Sequence, residues 1–352
     1  MIDFRLQRHA LTALGAAALF GASTPLAKLL LGDVAPVGLA ALLYLGSGSG
    51  LLILWLLQKT WKPARNEAPL SRRDLPWLVG AVATGGVIAP VLLLWGLAGT
   101  AASTASLLLN VEGTLTTLVA ALVFREAVAG RVWLATLLLL VAASVLVYRP
   151  DVSGNWSVHS LALIGACLFW AVDNNLTRRI SASDPVAIAM IKGLGAGCFN
   201  LALAFVLGVG MPAGGSVAGA LLVGFAGYGV SLVLFIHAMR HLGSARAGAH
   251  FSTAPFMGAA IAVLLLGDEI SLAIVAATLV MAVATWLVLS ERHAHLHTHE
   301  AHGHDHRHVH DTHHQHAHDR EVGPEPHSHE HQHEPLTHAH PHLPDLHHRH
   351  QH

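Results

Sequence analysis

Residues Leu107–Glu126 read LLLNVEGTLTTLVAALVFRE, an apolar run with one carboxylate, Glu112, toward its middle and a closing Arg125-Glu126 pair. About 20 mostly apolar residues are what an α-helix needs to cross a hydrocarbon layer roughly 30 Å thick. An acid near the centre of such a span costs on the order of 3 kcal/mol even on a lenient insertion scale, so it is expected to face a cavity rather than lipid. Glu112 is therefore the first candidate for a proton- or cation-binding group; the alternative is a structural acid held between helices.

The rest of the chain has the same character. Hydrophobic residues make up 53% of the sequence and charged residues 12%, and the mean hydropathy is +0.53. These values define an all-α integral membrane protein. Ten apolar segments are predicted as transmembrane helices, near 11–31, 36–57, 75–97, 102–124, 131–148, 158–177, 186–207, 217–238, 247–266 and 271–290. Cys167 and Cys198 both fall inside spans and read as packing residues. Gly46 to Gly50 and Gly193 to Gly197 have the small-xxx-small spacing that lets membrane helices approach closely.

Lys and Arg set the orientation. With the N-terminus inside, the inner loops hold 13 of them and the outer loops at most 2, Arg149 and Lys28. The positive-inside rule then places both termini in the cytoplasm of a multi-pass protein of the inner (cytoplasmic) membrane. After Glu291 the composition changes, with 24 histidines between His293 and His352. This tail lacks apolar periodicity and is expected to be disordered. Its alternating residues, among them His295, His297, His299, His302, His304, His306, His308 and His310, suit Zn, Ni, Co or Cu, with no metal encoded in preference.

An internal repeat appears when Glu126 is laid on Glu269. Each position ends an apolar span and precedes another. The chain therefore divides into 1–150, 151–292 and the tail 293–352. Five spans per half is an odd number, so the halves enter the membrane in opposite directions, an arrangement that supports alternating access. The acids Glu126 and Glu269 would then lie at opposite faces.

FGASTPLAKLLL and FWAVDNNLTRRI, which open the two halves, the helices led by Pro36 and Pro185, and the closures at Glu126 and Glu269 together resemble the EamA family of the drug/metabolite transporter superfamily. The resemblance covers 11–290. It implies a ten-helix transporter with both termini inside and a central cavity, exporting small organic solutes. Two positions depart from the family's pattern: Glu112 stands where proline is common, as at Pro255 in the second half, and Leu43 stands where a basic residue is common, as at Lys192.

Candidate substrate- or ion-binding residues are Glu112, Asn110, Asp173, Asn174, Lys192 and His250. Asn110, Thr114 and Thr117 form one polar stripe of the helix, while Glu112 and Thr116 lie on its other side. Asp173 and Lys192 are read either as a buried ion pair or as a site in which Lys192 holds a substrate carboxylate. No HExxH, phosphate loop or nucleophile elbow occurs, so an enzyme is not expected, nor is nucleic-acid binding or a required cofactor. The function expected is secondary export of a small solute by a monomer or homodimer in the lipid bilayer, with a metal-binding tail. The alternatives are efflux of a divalent transition metal and a membrane-tethered metal store or sensor.

Overall fold

The computed structural model describes residues 4–61, 70–123, 130–149, 155–180, 183–210, 212–242, 248, 250–289, 293–299, 303–308, 327–332 and 336–342. Glu126, His302 and His310 lie outside them. The first half contains α1 (Phe4–Leu30), α2 (Pro36–Trp61), α3 (Leu75–Ala81), α4 (Ala89–Ala98), α5 (Ala102–Leu108), α6 (Val111–Val123) and α7 (Gly130–Val147). After the short antiparallel pair β1 (Tyr148–Arg149) and β2 (Asn155–Trp156) come α8 (Val158–Arg178), α9 (Pro185–Val206), α10 (Gly214–Gly224), α11 (Ser231–Leu242), α12 (Ala254–Leu266) and α13 (Leu272–Leu289).

Among the described residues, seven helical stretches are long and apolar enough to cross a membrane, and Ala254–Leu266 and Leu272–Leu287 are shorter apolar helices. Their outer surface is apolar as well: Leu264 and Leu272 are each 85% exposed, a surface suited to lipid. Inside, Leu39, Leu93, Leu94, Leu97, Leu107 and Leu163 are buried in a shared core.

Several predicted spans are not uniform helices. Between α3 and α4 the chain widens into a π-helix, Val82–Ile88, and another, Phe225–Val230, joins α10 to α11. Val82 and Phe225 are separated by the same interval as Glu126 and Glu269, so the two π-helices occupy equivalent places in the repeat. In the first, Pro90 brings no N–H to the turn, so the carbonyls of Gly85 and Gly86, five and four residues earlier, lose their helical donors. Side chains replace them: Tyr44 Oη (2.7 Å) and Trp170 Nε1 (3.0 Å) donate to Gly85 O, and Asn200 Nδ2 donates to Gly86 O at 2.9 Å. Buried polar backbone is thereby satisfied, and three helices are tied to one turn.

The predicted span 102–124 is also interrupted. Leu109 and Asn110 form a turn between α5 and α6, and Ser252 and Thr253, their equivalents in the repeat, form the corresponding turn before α12. At the first break the amide of Glu112 bonds the carbonyl of Leu109 at 3.1 Å. That leaves the Leu108 carbonyl for the thiol of Cys167, 3.7 Å away. Hydropathy averaged over a span does not register such local unwinding.

The glycine pairs pack as expected. Gly48 of α2 lies against Gly193 and Leu194 of α9 so closely that a Cβ at either glycine would overlap the other helix's backbone. Gly46 meets the Leu221 backbone, and Gly197 meets Leu45. Elsewhere α4 and α6 pack on α8, α11 and α12 pack on α1, and α7 packs on α13.

One connection is held from both sides. Lys28, near the end of α1, donates to the carbonyls of Leu97 (2.6 Å), Ala98 (3.0 Å) and Thr100 (2.9 Å). Gly267 ends α12 in the left-handed conformation (φ 69°) that favours glycine. The next residue, Asp268, accepts from the Ser103 amide at the start of α5, at 2.7 Å. Glu269, singled out in the sequence, is exposed; its neighbour makes the contact.

In the tail, where sequence composition predicts no regular structure, four strands are described: β3 (His293–His299) pairs antiparallel with β6 (Leu336–His342), and β4 (Gly303–His308) pairs with β5 (His327–Gln332). The alternation of histidine with other residues is also the two-residue period of a strand.

Candidate functional site

The sequence Asp173-Asn174-Asn175 near the end of α8 organises the polar centre. Successive residues on a helix point about 100° apart, so three consecutive polar side chains reach three different neighbours. Asp173 turns toward α9, Asn174 toward Glu112, and Asn175 onto the α6 backbone.

Asp173 is buried and forms an ion pair with Lys192. The ammonium lies 2.6 Å from Oδ1 and 2.8 Å from Oδ2, and Thr177 Oγ1 donates to Oδ1 at 2.9 Å while accepting from Lys192 at 3.1 Å. Gly85 makes room for this group, since a Cβ there would overlap the Asp173 carboxylate. The pair is closed on itself and satisfied, as a buried charge must be.

Glu112 has different company. As the second residue of α6 it lies in the first helical turn, where the unpaired amides and the helix dipole favour a negative charge. The break thus offsets part of the cost that a continuous span would impose. Its carboxylate Oε1 accepts from Asn174 Nδ2 at 2.9 Å, and the same amide lies 3.3 Å from Thr116 Oγ1. Thr116 returns its own hydroxyl to the Glu112 carbonyl at 2.9 Å. Asn175 Nδ2 donates to Thr116 O (3.2 Å) and Ala171 O (2.8 Å), fastening α8 to α6. Glu112 is half-buried and Asn174 exposed, so this group has accessible polar atoms in an apolar bundle.

Of the predicted site residues, Glu112 and Asn174 are brought together, and Asp173 and Lys192 form the neighbouring pair. Asn110 is turned away: its amide lies 3.9 Å from Met281 Sδ on α13. This agrees with its place on the polar stripe opposite Glu112. His250 precedes the second break, its carbonyl accepting from Thr253 Oγ1 at 2.6 Å. The adjacent Phe251 ring lies 5.5 Å from Phe20 and 4.5 Å from Phe235.

Sequence reasoning missed Tyr44, Trp170, Asn175 and Asn200. A signal was present in Pro90 and in the third residue of the Asp-Asn-Asn run. A proline inside an apolar span frees carbonyls, and buried Tyr, Trp or Asn side chains elsewhere are the natural donors.

An apolar multi-helix bundle whose few polar side chains converge beside an interrupted helix is built as a membrane transporter. The chain belongs to the EamA-like transporter family, whose model matches residues 7–148 and again 158–290. It is 29% identical over 272 residues to a protein of Methanothermobacter thermautotrophicus described as an uncharacterized transporter, covering 72% of this chain and 78% of that one. A crystal structure superposes with a TM-score of 0.58 over 80% of this chain and 97% of the other, at 18% identity, a likeness of fold.

Proposed function

We propose that this protein is a secondary transporter that exports a small organic solute by alternating access, with Glu112 as the group that binds the solute or the coupling ion. The observation that carries this is the Glu112–Asn174–Thr116 cluster: accessible polar atoms beside a helix start in an otherwise apolar bundle. The two matches of one family model, the π-helices and the helix breaks at a common spacing support two oppositely inserted halves exchanging roles around this site. The positive-inside bias supports cytoplasmic termini.

The tail is proposed as a cytoplasmic binder of Zn²⁺, Ni²⁺, Co²⁺ or Cu²⁺. Its backbone register supports this by setting histidine opposite histidine at 293/342, 295/340, 297/338, 304/331, 306/329 and 308/327. Export of an organic solute is favoured over metal efflux because Glu112 contributes a single carboxylate with amide and hydroxyl neighbours, a weak set for a transition metal.

The test compares inside and outside solute levels in cells expressing the full chain, Glu112→Gln or a chain ending at Glu291, together with tolerance to Ni²⁺, Co²⁺ and Zn²⁺. A solute exported by the full and shortened chains but not by Glu112→Gln is the expected result. Metal tolerance that depends on the tail and on Glu112, with no such solute, would replace organic export by metal efflux.

A further inference from the structure

The site's charge inventory narrows the solute. Its charged side chains are Glu112, Asp173 and Lys192. Lys192 spans both oxygens of Asp173 and also reaches Thr177, so neither member of that pair is open to a ligand of opposite charge. The Glu112 carboxylate is approached instead by a neutral donor, the Asn174 amide, and among the described residues no cation pairs with it. The site therefore holds one carboxyl group that has no cationic partner of its own among the described residues.

Aromatic rings lie near that group. Tyr44 donates to the Gly85 carbonyl, Gly85 packs against the carboxylate of Asp173, next in sequence to the Asn174 that bonds Glu112, and the ring centroids of Tyr44 and Tyr228 are 5.6 Å apart. From Tyr228 the rings continue through Phe20 at 5.9 Å, Phe251 at 5.5 Å and Phe235 at 4.5 Å. Phe20, Tyr228, Phe251 and Phe235 are all half-exposed, so parts of their surfaces are open along a line leading away from the acid. Aromatic faces carry negative quadrupole charge and attract cations, while their area accepts an apolar body.

We infer that the site takes a monovalent organic cation with a hydrophobic body, its charge beside Glu112 and its apolar part against Tyr228 and Phe20. This rests on the transporter reading above. An anion finds no available cation here, because Lys192 is engaged by Asp173. A zwitterion pairs only one of its two charges. A divalent ion finds one free carboxylate and no second.

Tetraphenylphosphonium serves as the probe, with phenylalanine, benzoate and Zn²⁺ as contrasts. Binding is measured on the full chain purified in detergent, for wild type and for Glu112→Gln, Glu112→Asp, Tyr228→Phe and Tyr228→Leu, each first shown to be monodisperse and to melt near the wild type. The expected result is saturable tetraphenylphosphonium binding, weakened about tenfold or more by Glu112→Gln and partly restored by Glu112→Asp. Tyr228→Phe keeps the ring and the affinity, whereas Tyr228→Leu keeps an apolar side chain and loses about threefold to thirtyfold. Glu112-dependent binding of phenylalanine, benzoate or Zn²⁺ without tetraphenylphosphonium overturns the cation inference and leaves Glu112 as a transport site. Binding of no probe in a Glu112-dependent way, together with solute export unaffected by Glu112→Gln, overturns both.

Discussion

α6 and α12 each begin after a break in an apolar segment, at equivalent positions of the repeat, and differ at their second residue: Glu112 in α6, Pro255 in α12. Both residues suit that place. Proline lacks the N–H that has no partner in the first helical turn, and an acid is stabilised by the amides and dipole found there. The break is thus common to both halves and can be started by either residue, while the charge belongs to one half alone. A second asymmetry runs the other way. The second half has Asp173 and Lys192, joined at 2.6 Å, and the first has Leu43, buried. Shared irregular backbone reads as scaffold, and unshared charge as what is particular to each half.

The charged pair of the second half offers the largest effect. Lys192→Met leaves Asp173 as a buried unpaired acid and is expected to lower stability by about 3–5 kcal/mol, whereas Lys192→Met with Asp173→Asn recovers most of the loss. Thermal melts in detergent measure both; a double variant no better than the single one would show that the pair has no private role. Next comes the exchange of break residues. Glu112→Pro, which copies the second half, is expected to fold and to melt near the wild type while lowering solute export about tenfold to a hundredfold, the same loss expected of Glu112→Gln. Export and circular dichroism measured together decide it, and a misfolded Glu112→Pro would mean that the two breaks are not equivalent starts.

Gly85→Ala is smaller. The added methyl meets the Asp173 carboxylate and is expected to cost about 1–3 kcal/mol. The same substitution at Gly215, where a Cβ meets no neighbour, is expected to stay within about 0.5 kcal/mol, again by melting. Smallest is removal of the tail: a chain ending at Glu291 should export its solute unchanged and lose the Zn²⁺ uptake that equilibrium dialysis detects in the full chain.

Much of this was legible in residues alone. The apolar segments, the interval that carries Glu126 onto Glu269, and the close packing of Gly46 and Gly197 all follow from composition and period. The partners of Glu112 were half legible: Asn174 stood among the candidates, but only the fold brings α8 against α6 and selects it over Asn110. The interruption of helix at Leu109 and Asn110 was hidden because a turn of two residues hardly alters the hydropathy of a span. Glu269 was chosen over Asp268 for a related reason. A capping contact depends on which of two adjacent acids faces the incoming amide, and spacing does not carry that direction.

The connection between α4 and α5, gripped by Lys28 on its carbonyl side and by Asp268 on its amide side, works as a clasp between the two halves. α1 and the turn after α12 cannot part at that end of the bundle while both grips hold. Charge-assisted bonds of this type are worth about 1.5–3 kcal/mol each, so together they hold α1, the α4–α5 connection and the end of α12 as one unit. A lysine and an aspartate from opposite halves of the chain thus share one connection.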